Sequence, residues 1–142
     1  MKHPVAYQKC IEEINRFDNE GLLSSPIKYG EASFQLSYTC ACIKEAARIF
    51  PAFAIHMGRV APPEGLELSG YYIPAGYRVA MNAAIVHRDR ALFGPDADEF
   101  KPERWMDGQS RTKELGKGML LFGAGTRTCS GKFVSITFWL DL

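Results

Sequence analysis

A chain of 142 residues, 46% hydrophobic and 23% charged, has the length and composition of one globular domain with a packed core. Its formal net charge of +1, with no long block of like charge and no aromatic-interleaved basic patch, argues against nucleic acid as a partner. No signal core follows Met1-Lys2-His3-Pro4 and no apolar run is long enough to cross a bilayer, so no membrane anchor is visible in the chain. The four cysteines, Cys10, Cys40, Cys42 and Cys129, lack the spacing of a zinc site or a disulfide framework.

Pro4 suits a first helical turn, and Val5, Ile11, Ile14 and Phe17 recur on one helical face while Glu12, Glu13 and Arg16 fall elsewhere. This predicts a helix over 4–19, ended by Gly21. Ser24-Ser25-Pro26 and Gly30 mark a polar connector, after which a second helix is expected over 34–49, stopped by Pro51. From 52 to 86 the texture turns to short β-rich pieces, Leu66-Glu67-Leu68, Tyr71-Tyr72-Ile73 and Tyr77-Arg78-Val79. Pro74-Ala75-Gly76 between the last two is a turn signal and predicts a hairpin joining them in a small sheet. Residues 87–118, rich in Pro, Gly and charge, read as short helical turns in a packed, irregular meander, and 131–142 as a third helix.

The run Phe122-Gly123-Ala124-Gly125-Thr126-Arg127-Thr128-Cys129-Ser130-Gly131 combines an aromatic residue, flanking glycines that let backbone approach a flat ligand, and an arginine able to neutralise a carboxylate. A lone cysteine is most often a small buried hydrophobe. Rival chemistries fit less well. A dinucleotide turn would want Gly or Ala at Thr128 and an acidic residue about 20 positions on. A phosphate loop would need different glycine spacing and Ser or Thr where Phe133 stands. A phosphatase-type nucleophile would want an arginine shortly after the cysteine, and none follows.

The spacing Phe122-x-x-Gly125-x-Arg127-x-Cys129-x-Gly131 resembles the haem-binding signature of the cytochrome P-450 superfamily, the haem-thiolate monooxygenases, and its wording looks fungal. Glu45-x-x-Arg48 on the second predicted helix and Pro102-Glu103-Arg104-Trp105 precede it in the family's order. On its own, Glu-x-x-Arg would be a solvated surface pair. Gly70 to Val79 looks like the family's sheet hairpin, and His87-Arg88-Asp89 through Trp105 like its approach to the meander, so the resemblance covers nearly the whole chain. Ala47 and Ala84 depart from it, standing where bulkier residues are common.

The resemblance implies an α+β portion of the mainly-α cytochrome P-450 fold: one partial domain, the haem-binding C-terminal part of a larger monooxygenase, with a cysteine loop at 122–131. It implies haem b bound through Cys129 as the iron ligand, with Phe122, Gly125, Arg127 and Gly131 around it. Arg127, and Arg59 before the sheet, would meet haem propionates; His56 reads equally as a further contact or an ordinary loop histidine. A helix N-terminus after Gly131 would favour the thiolate. Glu45 would sit between Arg48 and Arg104 in a buried structural network. Phe53 and Ile55 correspond to a segment lining the pocket of a small lipophilic substrate.

The expected reaction is monooxygenation, with electrons from reduced nicotinamide arriving through a reductase. Arg111, Lys113, Lys117 and Lys132 form either an acidic partner's docking face or a plain solvated surface. A eukaryotic full-length member would belong at the endoplasmic-reticulum membrane. The family's long distal helix, with its acid and alcohol, is expected upstream of residue 1. The alternative expectation is therefore a catalytically inert fragment that at most binds haem or a partner, with exposed apolar faces and poor solubility.

Overall fold

The computed structural model describes residues 2–132. The first helix, α1, spans Pro4–Asn19 as its periodicity predicts, with the chain turning away through Gly21. Ile11, Ile14 and Phe17 of the expected face are half-buried. Val5 is exposed, whereas Glu13 is the one buried residue of the helix. Its carboxylate reaches across to the start of another helix, accepting the backbone N–H groups of Tyr38 (2.9 Å) and Thr39 (2.8 Å) and the hydroxyls of Ser37 and Thr39.

That contact explains the main departure from the predicted 34–49 helix. Two helices stand there instead: α2 over Tyr29–Gln35 and α3 over Ser37–Ile49, broken at Leu36, whose φ −96° and ψ 58° are not helical. The first N–H groups of any helix lack internal partners. Here a carboxylate 25 residues upstream of Tyr38 supplies them, and the break lets Leu36 turn inward to near-complete burial. Upstream, Glu31 ties α2 to its connector by accepting the Ser24 N–H and hydroxyl.

The β region pairs differently from the predicted hairpin. Strand β2 (Leu66–Leu68) pairs antiparallel with β3 (Tyr71–Ile73) across the two-residue turn Ser69-Gly70, where both φ values are positive. Such a turn matches the twist of paired strands. Pro74-Ala75-Gly76 does turn, with the Tyr77 N–H on the Pro74 carbonyl, but it joins β3 to a strand of another pair: β1 (Arg59–Val60) with β4 (Arg78–Val79).

The meander contains α4 (Ala83–Val86), α5 (Arg90–Phe93), a 3-10 turn over Pro102–Trp105 and a regular ten-residue helix, α6 (Gln109–Gly118), where only short turns are predicted. Asn82 and Asp89 cap α4 and α5 through their side chains. Ala41, Phe93, Ala97, Trp105 and Leu115 form the buried cluster that joins α3 to this meander, and Leu92 and Met119 pack against it. Elsewhere large apolar side chains face solvent, Phe34 at 87% and Phe50 at 73% exposure among them. The predicted helix over 131–142 lies, beyond Lys132, outside the described residues. No helix among the described residues is long and apolar enough to cross a membrane.

Candidate functional site

Glu45, Arg48 and Arg104, far apart in sequence, meet in the core. Glu45 and Arg48 share a face of α3 because they are three residues apart, and the 3-10 turn after Lys101 brings Arg104 and Trp105 onto the same carboxylate. Glu45 Oε1 accepts Arg48 Nη2 (2.8 Å), Arg104 Nε (2.8 Å) and the Lys101 N–H (3.0 Å); Oε2 accepts Arg48 Nε and Trp105 Nε1, both at 2.9 Å. Arg48 spends its remaining donors on the carbonyls of His87, Ala97 and Glu99. Arg104 adds the Phe93 and Asp96 carbonyls and the Asp96 carboxylate.

Glu45 and Arg48 are fully buried and Arg104 nearly so. Desolvation of each charge is costly, and geometry of this quality is what offsets it. Burial alone would raise the Glu45 carboxyl, but the hydrogen bonds from Arg48, the Lys101 amide, Arg104 and Trp105 outweigh it and hold it below its ordinary range. Burial likewise disfavours the Arg104 cation, and Glu45 followed by Asp96 more than restores it. The Lys101 ammonium, ahead of Arg104, holds Asp96 down to about 2. Two carboxylates thus balance two guanidinium groups.

His87, fully buried, extends this cluster. Its Nε2 lies 2.8 Å from the Leu120 amide nitrogen and its Nδ1 3.2 Å from the Arg48 carbonyl oxygen. An amide can only donate and a carbonyl only accept, so these partners assign the neutral ring with its proton on Nδ1. Burial, reinforced by the Arg48 and Arg88 charges, pushes the ring's pKa down and favours that same neutral form.

The cysteine run is built on other terms. Gly123 and Gly125 have φ of 71° and 66°, which a side chain would strain. They let the chain fold through a 3-10 turn over Gly125–Arg127. Main-chain bonds close the loop: Gly123 N–H to the Leu120 carbonyl (2.9 Å), Thr128 N–H to Gly125 (3.1 Å) and Cys129 N–H to Phe122 (2.8 Å). Residues 124–130 are exposed, and Cys129 is a free, exposed thiol. A Cβ at Gly131 would stand 3.8 Å from the Cys129 sulfur, in ordinary contact with it.

The site residues expected from sequence divide accordingly. Phe122 is half-buried and lines a cavity of about 350 Å³ with Ile43, Ala47, Trp105, Met119 and Leu121, while Cys129 is not on its wall. The Phe122 carbonyl accepts the Cys129 N–H. Arg127 stands exposed two residues before the sulfur. Arg59 lies exposed on β1 with its guanidinium on the Gly58 carbonyl, and no hydrogen bond or ion pair among the described residues joins it to the cysteine loop. His56 bridges to Asn82, and Phe53 and Ile55 are exposed. Arg111 is engaged with Glu114 and the Leu92 carbonyl. Glu13 carries no local signal of its role in the sequence, and His87, Asp96 and Trp105 gain their partners only on folding.

The donor set itself limits what the loop can hold. No group of three or more His, Cys, Asp or Glu side chains among the described residues could cage a bare ion. One exposed thiol on a glycine-built loop, with an arginine nearby, fits a metal already chelated by a flat macrocycle that bears carboxylates.

Residues 1–137 match the sequence profile of the family described as Cytochrome P450. The chain is 44% identical over 135 residues to the cytochrome P450 monooxygenase ACRTS1 of Alternaria alternata, covering 95% of this chain and 36% of that protein. It is 43% identical to the cytochrome P450 monooxygenase cicH of Emericella nidulans, with 95% and 27% covered. Against gsfF of Penicillium aethiopicum identity is 41%, with 96% and 27% covered. The chain thus spans about a quarter to a third of the length of these relatives. Its fold resembles that of a retinoic acid-bound cyanobacterial CYP120A1, with a TM-score of 0.78 at 23% identity over 99% of this chain and 30% of that one.

Proposed function

The chain belongs to the cytochrome P450 family, and from that premise we propose that it is the haem-ligating part of a monooxygenase in which Cys129 is the iron ligand. The observation that carries this reading is the free, exposed Cys129 thiol on a loop closed by main-chain bonds and built on two left-handed glycines. Haem b, ligated by a thiolate, supplies the electron push that favours O–O cleavage, a chemistry for which this family is the type case.

The chain's own residues hold and orient. Cys129 offers its sulfur once its proton has left, with its backbone fixed by the Phe122 carbonyl. Arg127 is assigned a propionate. Arg59 is assigned a second, reached from β1, and Gly131 keeps the space beside the sulfur free of a side chain. Glu45, Arg48 and Arg104 hold the meander on which the loop rests. Because the chain spans 27–36% of its relatives' length, haem ligation is the share of the reaction assigned to it. Turnover of a small lipophilic substrate, with electrons from a nicotinamide-fed reductase, belongs to the proposal for the whole protein.

The test is optical. The full-length protein, loaded with haem and reduced under carbon monoxide, is expected to give the strongly red-shifted Soret band of a thiolate complex, and Cys129→Ser is expected to lose it. An unchanged band in the variant would overturn the assignment.

A further inference from the structure

We propose that His87 is a positioning residue for the cysteine loop, coupling the buried Glu45–Arg48 cluster to the Leu120 backbone from which the loop departs; this deepens the assignment of Cys129 as the iron ligand and rests on it.

Arg48 and His87 hold each other reciprocally. The Arg48 guanidinium donates to the His87 carbonyl at 2.6 Å, and the His87 ring donates from Nδ1 to the Arg48 carbonyl at 3.2 Å. That carbonyl lies in the last turn of α3, where carbonyls lack partners within the helix. The next one, of Ile49, is taken by Arg88 at 2.9 Å. Two consecutive side chains therefore anchor the helix end to the segment after α4.

The other face of the ring points at the loop. Nε2 accepts the Leu120 N–H at 2.8 Å, the Leu120 carbonyl accepts Gly123 N–H at 2.9 Å, and the Phe122 carbonyl accepts Cys129 N–H at 2.8 Å. Leu120 is thus fixed at both its polar groups, one by the buried cluster and one by the loop. The ring is fully buried and Leu120 half-buried, so the link is shielded from the ring side. Exchanging the ring for an apolar group would take the partner from both the Leu120 N–H and the Arg48 carbonyl. A side chain that merely filled space would not need both nitrogens in opposite roles.

The two amide side chains separate these roles. Gln can bring an oxygen to the place of Nε2 and keep the Leu120 bond, whereas Asn can bring a nitrogen to the place of Nδ1 and keep only the Arg48 bond. In the full-length protein, hydrogen exchange of the Leu120 amide is expected to quicken roughly tenfold in His87→Asn and to stay near wild type in His87→Gln. The thiolate Soret band of the reduced carbon monoxide complex is expected to decay roughly tenfold faster in His87→Asn alone. Equal behaviour of the two variants in both measurements overturns the proposal, as does band loss in both in proportion to their melting temperatures. Should His87→Asn not fold, His87→Gln decides: a Leu120 amide as fast as predicted for Asn overturns it. A wild-type protein with no thiolate band sinks the Cys129 assignment instead, and the exchange measurement still judges His87.

Discussion

The cluster around Glu45 and the loop around Cys129 are built in opposite ways. Around Glu45 the charges are buried, balanced in sign and bonded donor by donor, so that each group is held by several others. Around Cys129 the order comes from main-chain bonds and left-handed glycines, while the side chains that would touch a ligand stand exposed. Rigidity and availability are separated along one chain. A ligand loop must leave its sulfur and cation uncommitted, so the stability that holds it has to be supplied elsewhere and passed to it, and His87 is the point of transfer.

Breaking the buried side should have the largest effect. Glu45→Gln, nearly the same shape, leaves the buried Arg48 guanidinium without a carboxylate and Arg104 with Asp96 alone, and is expected to cost about 3–5 kcal/mol in urea unfolding of the full-length protein. Glu13→Ala removes the carboxylate that caps α3 and should cost about 1–2 kcal/mol by the same measurement. Gly125→Ala forces a side chain onto a φ of 66° and is expected to lower stability by about 1 kcal/mol. A smaller effect should appear with pH. The folded pKa of His87 is depressed below the ordinary 6.5, so the unfolded chain binds the proton first as pH falls. Its contribution is complete above 6.5 and is lost as pH drops toward the folded value. Glu45, likewise depressed, adds a further loss below the ordinary 4.5. In titrated melting curves His87→Gln should lack the first step and keep the second. In the haem-free protein Cys129→Ser should change stability by less than about 0.5 kcal/mol, as for an exposed side chain, while in the loaded protein it abolishes the thiolate band. A large destabilisation there would erase the contrast between the two regions.

Much of this was legible in the residues. The 3.6-residue period and Pro4 place α1 with its observed bounds, and the order of Glu45, Arg48, Arg104 and Cys129 points to the family. Other features were hidden. The break at Leu36 depends on a carboxylate from α1, and nothing within 34–49 signals it. Pro74-Ala75-Gly76 is a turn, yet strands pair by what lies opposite them, and Ser69-Gly70 is the turn that closes a ladder.

By itself, then, the sequence determined the kinds of chemistry available: a lone thiol among glycines, an arginine beside it, and acid and guanidinium groups spaced to share a helix face. Only the tertiary structure decided which of them are buried together, that Glu13 caps rather than faces solvent, and that His87 is neutral with its proton on Nδ1. The reason is physical. Residue type and spacing act within a few residues along the chain, whereas desolvation and the pairing of buried donors with acceptors depend on which distant segments have excluded water together.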